Sequence, residues 1–303
     1  MGAARTVRTV SEGYSYLECP RWHDARLWVS DFYTESVHVV DPADGSSSVV
    51  AEVPQQPSGL GFTPDGTTLI VSMRDRRILR RDSGGELAVH ADLSGLVGPV
   101  LNDMVVDAAG GAYVGNFGFD LMSGAPVAST TLTHVDPDGT ASTVADGLFF
   151  PNGMVLLDSG RTLVVAETFA SRLSAFDVAS DGTLSNRRVW AGFGDASDPS
   201  ATDVGEVLGG LTVAPDGIGA DSEGAIWVCD ALHQRAIRVR EGGEIVDEVS
   251  VAPLSTYACT LGGDHGTTLF LCAAPSFLEH ERRPVREGVL LAVEVDVPHA
   301  GRP

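Results

Sequence analysis

A chain of 303 residues with 43% hydrophobic and 7% aromatic residues has the composition of a globular protein and is too apolar for a disordered one. Its 20 basic residues against 41 acidic ones give a formal charge of −21. That excludes nucleic acid and anionic membrane surfaces as partners, because both must be met by clustered positive charge. All 20 basic residues are Arg, so Schiff-base chemistry and a lysine-bearing phosphate loop are excluded as well.

The opening stretch MGAARTVRTVSEGYSY lacks an apolar signal core, and no run approaches 18 apolar residues. The expectation is a soluble, cytoplasmic protein. Cys19, Cys229, Cys259 and Cys272 form no C-x-x-C pair and sit in apolar runs, so they read as small buried hydrophobes in a reducing compartment.

Six segments repeat one pattern, an apolar run, a turn rich in Asp and Gly, and a second apolar run. They are ECPRWHDARLWVSD from Glu18, SGLGFTPDGTTLIVSM from Ser58, NDMVVDAAGGAYVGN from Asn102, NGMVLLDSGRTLVVAE from Asn152, DGIGADSEGAIWVCD from Asp216 and ACTLGGDHGTTLFLCA from Ala258. Each reads as a β-hairpin, and each is followed by further strand-like runs such as SVHVVD, RILRRD, LTHVD, RLSAFDV and AIRVRE. No window holds a 3.6-residue period. The spacing predicts an all-β chain, a six-bladed β-propeller with four antiparallel strands per blade, spanning residues 1–303 as one domain. A pair of β-sandwiches would not explain six equivalent hairpins. The N-terminal run ARTVRTV is expected to close the ring beside GVLLAVEVDV, and the insertion AGFGDASDPSATDVGEVLGG (191–210) is a candidate lid or binding loop.

The residues that open the innermost strands should ring one mouth of the central channel. They are Glu18, Ser58, Asn102, Asn152, Asp216 and Ala258. Taken singly, Asn152-Gly153 and Asp216-Gly217 read as turns and Glu18 as a solvated carboxylate. Four oxygen donors in the same slot of separate repeats instead suit a hard divalent cation. The second strands end at the same mouth, which offers Asp31, Met73, Asn116, Glu167, Asp230 and Ala273, with Arg74, Phe117, Phe119 and Phe169 beside them. Of these, Asn102, Asn116, Phe117, Phe119, Glu167 and Arg74 are the expected substrate contacts. His233 is an outside candidate for proton transfer. There is no G-x-S-x-G elbow and no G-x-G-x-x-G after a strand.

At these residues the sequence resembles the senescence-marker-protein (regucalcin)/gluconolactonase family. The matching stretches are LECPRWHDARLWVSD, LNDMVVDAAGGAYVGN, FPNGMVLLDSGRTLVVAETFASRLSAFDV, PDGIGADSEGAIWVCDALHQRAIRV and YACTLGGDHGTTLFLCAA, in order along nearly the whole chain. The resemblance implies one divalent ion held by Glu18, Asn152 and Asp216, with Ca²⁺ first and Zn²⁺, Mg²⁺ or Mn²⁺ as alternatives. It also implies metal-dependent opening of a lactone or related ester. By the same resemblance Asn102 is expected close to ion and substrate and Asp216 is expected to deprotonate water, with Asp103 as the alternative base. Sugar-lactone members carry an Arg two residues before that Asn. Val100 stands there in this sequence, which points to a less polar ring. The competing readings are a phosphotriesterase-like hydrolase and a non-catalytic calcium-binding propeller. The sequence gives no oligomeric state.

Overall fold

Apolar residues at period 2 around tight Asp/Gly turns give each repeat a hairpin, and each hairpin grows by two strands into a four-stranded antiparallel sheet. The computed structural model describes residues 5–194 and 202–301. From the axis outward, blade 1 comprises Leu17–His23, Arg26–Asp31, Ser36–Val40 and Ser47–Glu52. The innermost strands of blades 2 to 6 are Pro57–Phe62, Leu101–Val106, Pro151–Leu157, Pro215–Ala220 and Ser255–Gly262. Each of these packs on its successor, and the last packs on Leu17–His23, which closes a six-bladed propeller.

Burial follows the radius. Every residue of Leu101–Val106 is buried, whereas Ser47–Glu52 at a blade's rim is largely exposed. Between neighbouring blades the core is filled by large side chains such as Tyr113, Trp227 and Phe270. The four cysteines are buried and free. No helix among the described residues is long and apolar enough to cross a membrane.

Ring closure uses the N-terminus as expected, although the pairing lies further along the chain. The strand is Arg8–Tyr14, antiparallel to Gly288–Glu294 with Arg8 opposite Ala292 and Tyr14 opposite Gly288. In blade 6 it is therefore the outermost strand, and it covers an edge that would otherwise be open.

One irregularity recurs in every blade. The register between the first and second strands breaks at Glu18/Arg21, Pro57/Leu60, Leu101/Met104, Pro151/Met154, Pro215/Ile218 and Thr256/Ala258. A β-bulge re-aims the side chain at its position. Here the broken stretch holds the slot residue of each repeat.

Candidate active site

Four of the six slot residues, Glu18, Asn102, Asn152 and Asp216, line one cavity of about 350 Å³ at the channel mouth. All four are buried, at 5–8% exposure. Ser58 and Ala258 are buried in the same ring without lining it.

Local sequence explains the close approach. A Cβ on Gly153 would lie 2.5 Å from the Ile218 nitrogen, and one on Gly217 would lie 2.5 Å from the Ala258 Cα. The glycines of Asn152-Gly153 and Asp216-Gly217 therefore lie within strands, where they let adjacent inner strands touch. After Glu18 the chain takes a left-handed step at Cys19, with φ 51°.

The slot side chains hold one another. The Asn152 amide nitrogen donates to Asp216 Oδ1 and, at 3.2 Å, to Thr168 Oγ1, which in turn donates to the Pro215 carbonyl at 2.8 Å. Glu18 accepts from the Tyr16 hydroxyl and from the Cys19 N–H, both at 3.2 Å. Burial, and next the charge of Asp103, push the Glu18 carboxyl up to about 8. Burial and then the charge of Glu18 drive Asp216 well above the usual carboxylate range.

Asp103 turns away from the cavity. It accepts from the buried Arg21 guanidinium at 2.7 Å and from the Met104 N–H at 2.7 Å. Were Glu18, Asp103 and Asp216 all ionised against Arg21, the buried ring would carry two uncompensated negative charges, which is why both cavity carboxyls hold their protons so tightly. Among the described residues no three or more His, Cys, Asp and Glu side chains gather as a metal cluster. The donor set is instead two carboxylates and two amides, hard oxygen donors whose charge deficit matches a divalent cation.

Of the second-strand ends Met73 does line the cavity, as does the neighbouring Phe169, whereas the polar ones behave differently from expectation. Asp31 accepts from the Ser15 and Tyr16 N–H groups at 3.0 Å. Glu167 accepts from the Phe149 N–H at 3.0 Å and pairs with Arg172 and Arg187 at 3.0 and 2.9 Å. Asp230 accepts from the Ala214 N–H at 3.2 Å and pairs with Arg235 and His233. These three anions pin the loop leading into the inner strand of their own blade. Asn116, the same position in blade 3, is taken up by Thr130 and the Thr131 carbonyl. Neither Asn116 nor Glu167 reaches the cavity, and the half-exposed His233 is held at Asp230 outside it.

Phe117 and Arg74 do line the cavity, while Phe119 lies behind the wall against Phe150 and Phe169. Arg74 crosses the mouth, donating to Gln56 at 3.0 Å and to Glu279 at 2.8 Å. Sequence reasoning missed Tyr16, Tyr33, Phe150, Thr168, Tyr257 and Phe277, which also line it. For Tyr16 and Phe150 a signal existed, since each stands two residues before a slot residue. Phe277 and Glu279 belong to the connection before Gly288–Glu294, whose arrival over the mouth has no local sequence mark. Of the 191–210 insertion, residues 195–201 lie outside the described residues. Its later part forms the helix Val204–Gly210, capped by Asp203, with Leu208 on the cavity wall.

Fold and site together define a six-bladed propeller with an acidic and amide-bearing ring at the floor of an axial pocket. The chain belongs to the SMP-30/gluconolactonase/LRE-like family, whose profile matches residues 17–275. It is similar to a 6-deoxy-6-sulfogluconolactonase of Pseudomonas putida, 24% identical over 94% of this chain and 93% of that one. It is also similar to the pentonolactonase XacC of Haloferax volcanii, 27% identical over 73% of this chain and 68% of that one. Among solved structures, the calcium-binding protein regucalcin from Agrobacterium tumefaciens superposes with a TM-score of 0.78 at 21% identity, covering 99% of this chain and 96% of that one.

Proposed function

We propose that this protein hydrolyses a lactone or related ester with one divalent ion held by Glu18, Asn152 and Asp216. The observation that carries the reading is the buried pair Glu18 and Asp216, uncompensated by any lining cation except the Arg74 at the rim. Family membership and the names of the lactonase relatives support it. The regucalcin likeness supports Ca²⁺ as the first ion to test.

A divalent ion bound there supplies electrophilic polarisation of a carbonyl and a lowered pKa for water. The chain's own residues do the rest. Thr168 locks the Asn152 amide through its nitrogen, which leaves Oδ1 as a free oxygen donor. Tyr16 steadies Glu18. The Asn102 amide faces the cavity, where it can donate to the carbonyl oxygen as negative charge develops there. Asp216 opens into the same space and is the base, whereas Asp103 is committed to Arg21. Water oxygen bonds to the carbonyl carbon, the ring C–O bond breaks with its electron pair on the departing oxygen, and a proton passes to that oxygen. The product is a hydroxy acid.

Chelator-stripped protein is expected to open no lactone in a proton-release assay, and Ca²⁺, Zn²⁺, Mg²⁺ or Mn²⁺ added back should restore turnover. Glu18→Ala should lose both calorimetric metal binding and turnover. Full activity in chelated Glu18→Ala protein would end the proposal.

A further inference from the structure

One wall of the cavity is built from phenyl rings. Phe117 stacks on Phe150 with centroids 4.2 Å apart and planes at 29°, and Phe150 meets Phe169 at 5.2 Å. Phe119 supports them from behind, edge-on to Phe169 at 5.3 Å. Phe150 stands at φ 58°, a conformation unfavourable for a bulky side chain and kept only where surroundings enforce it. Its carbonyl accepts from the Thr168 N–H at 3.3 Å. The next residues are Pro151 and Asn152, so one strained step sets both the aromatic surface and a ring donor.

Several polar groups around this wall are already engaged, although the Tyr257 hydroxyl and the Asn102 amide also line the cavity. Gln56 and Glu279 accept from Arg74, Tyr33 donates to the Phe277 carbonyl at 2.7 Å, and Asp120 accepts from the Ser123 N–H at 3.1 Å. Tyr16 and Thr168 serve Glu18 and the Pro215 carbonyl. A ring bearing several hydroxyls would give up its water here and find few free partners. A flat apolar ring would stack on Phe117 and Phe150 and leave its hydrophobic surface dry.

We infer that the cavity takes lactones carrying an aryl substituent, seated on Phe117, Phe150 and Phe169 with the carbonyl at the Glu18–Asn152–Asp216 floor, and that Phe150 sets this preference. The inference rests on the lactone-opening reading above. The test compares kcat/KM of the metal-loaded protein for three six-membered lactones with alkyl leaving groups, namely δ-phenyl-δ-valerolactone, δ-valerolactone and D-glucono-δ-lactone, each corrected for its uncatalysed rate.

The phenyl lactone is expected to lead both others by at least tenfold, and Phe150→Ala should shrink that lead at least tenfold, mostly through KM. Phe117→Leu, which keeps an apolar side chain and removes the stack, should shrink it in the same direction. A lead for D-glucono-δ-lactone, or no lead for the phenyl compound, overturns the inference while lactone opening stands. If the metal-loaded protein opens none of the three, the lactonase reading falls and this inference with it.

Discussion

Arg21 is a cation with 8% of its side chain exposed, and it survives there because every face of the guanidinium is used. Nη2 donates to Asp103 Oδ1 and to the Met104 carbonyl, both at 2.7 Å, Nε to the Leu60 carbonyl at 3.1 Å and Nη1 to Pro20 at 3.0 Å. One side chain thus joins blades 1, 2 and 3 directly behind the ring donors. Removing one partner of a buried pair strands the other charge, which typically costs about 3–5 kcal/mol. Arg21→Met is expected to lose about that much stability in urea unfolding. Arg21→Met combined with Asp103→Leu should recover a substantial part of it. A single variant as stable as the parent would show that the pair contributes nothing. Sequence placed Asp103 beside Asn102 and so offered it as a base. Its partner lies 82 residues away, a contact that no local spacing reveals.

At the scale of strands, the same dipeptides carry two meanings. Asn-Gly and Asp-Gly are turn signals where strands are joined, yet Asn152-Gly153 and Asp216-Gly217 fall inside inner strands. Only the repetition of the slot separates the cases, which is why the ring donors were legible while each residue alone was not. The second strands illustrate the opposite outcome. Their ends reach the correct mouth, but Asp31, Glu167 and Asp230 bind loop N–H groups because buried backbone donors at the start of the inner strand must be paired. Composition and spacing carry strand count and radial order well, and they carry little about which face a strand-terminal side chain takes. The glycine requirement is testable. A methyl at Gly153 would press on the Ile218 nitrogen and, at 2.7 Å, on the Gly217 Cα, both backbone atoms. Gly153→Ala should destabilise by about 1–3 kcal/mol, as overpacking does. It should also weaken metal binding by calorimetry, since the atoms displaced adjoin Asp216. Unchanged stability and affinity would show that the inner strands can part without harm.

Over the whole molecule, a formal charge of −21 sets a field that favours cations, and the axial ring concentrates it in a buried place. Without a bound cation, Glu18 titrates near 8 in the folded chain against 4.5 in the open one, and Asp216 is raised likewise. A raised carboxyl means that the folded state holds the proton more tightly. Its contribution to stability is complete below pH 4.5 and fades as pH rises through about 8. Glu167 works the other way, because Arg172 and Ser174 hold it below its usual value against the effect of burial, so its contribution is lost on acidification. Chelated protein should therefore lose stability between pH 5 and pH 8, the span in which the unfolded chain has released these protons and the folded chain still holds them. A divalent ion competes with protons for those oxygens and binds the folded chain alone, so the rise in Tm that it produces should be larger at pH 8 than at pH 5. Thermal unfolding with and without chelator at the two pH values measures this directly. An equal rise at both would mean that the ion binds somewhere other than Glu18 and Asp216, since a site made of these raised carboxyls must exchange protons for metal in that window.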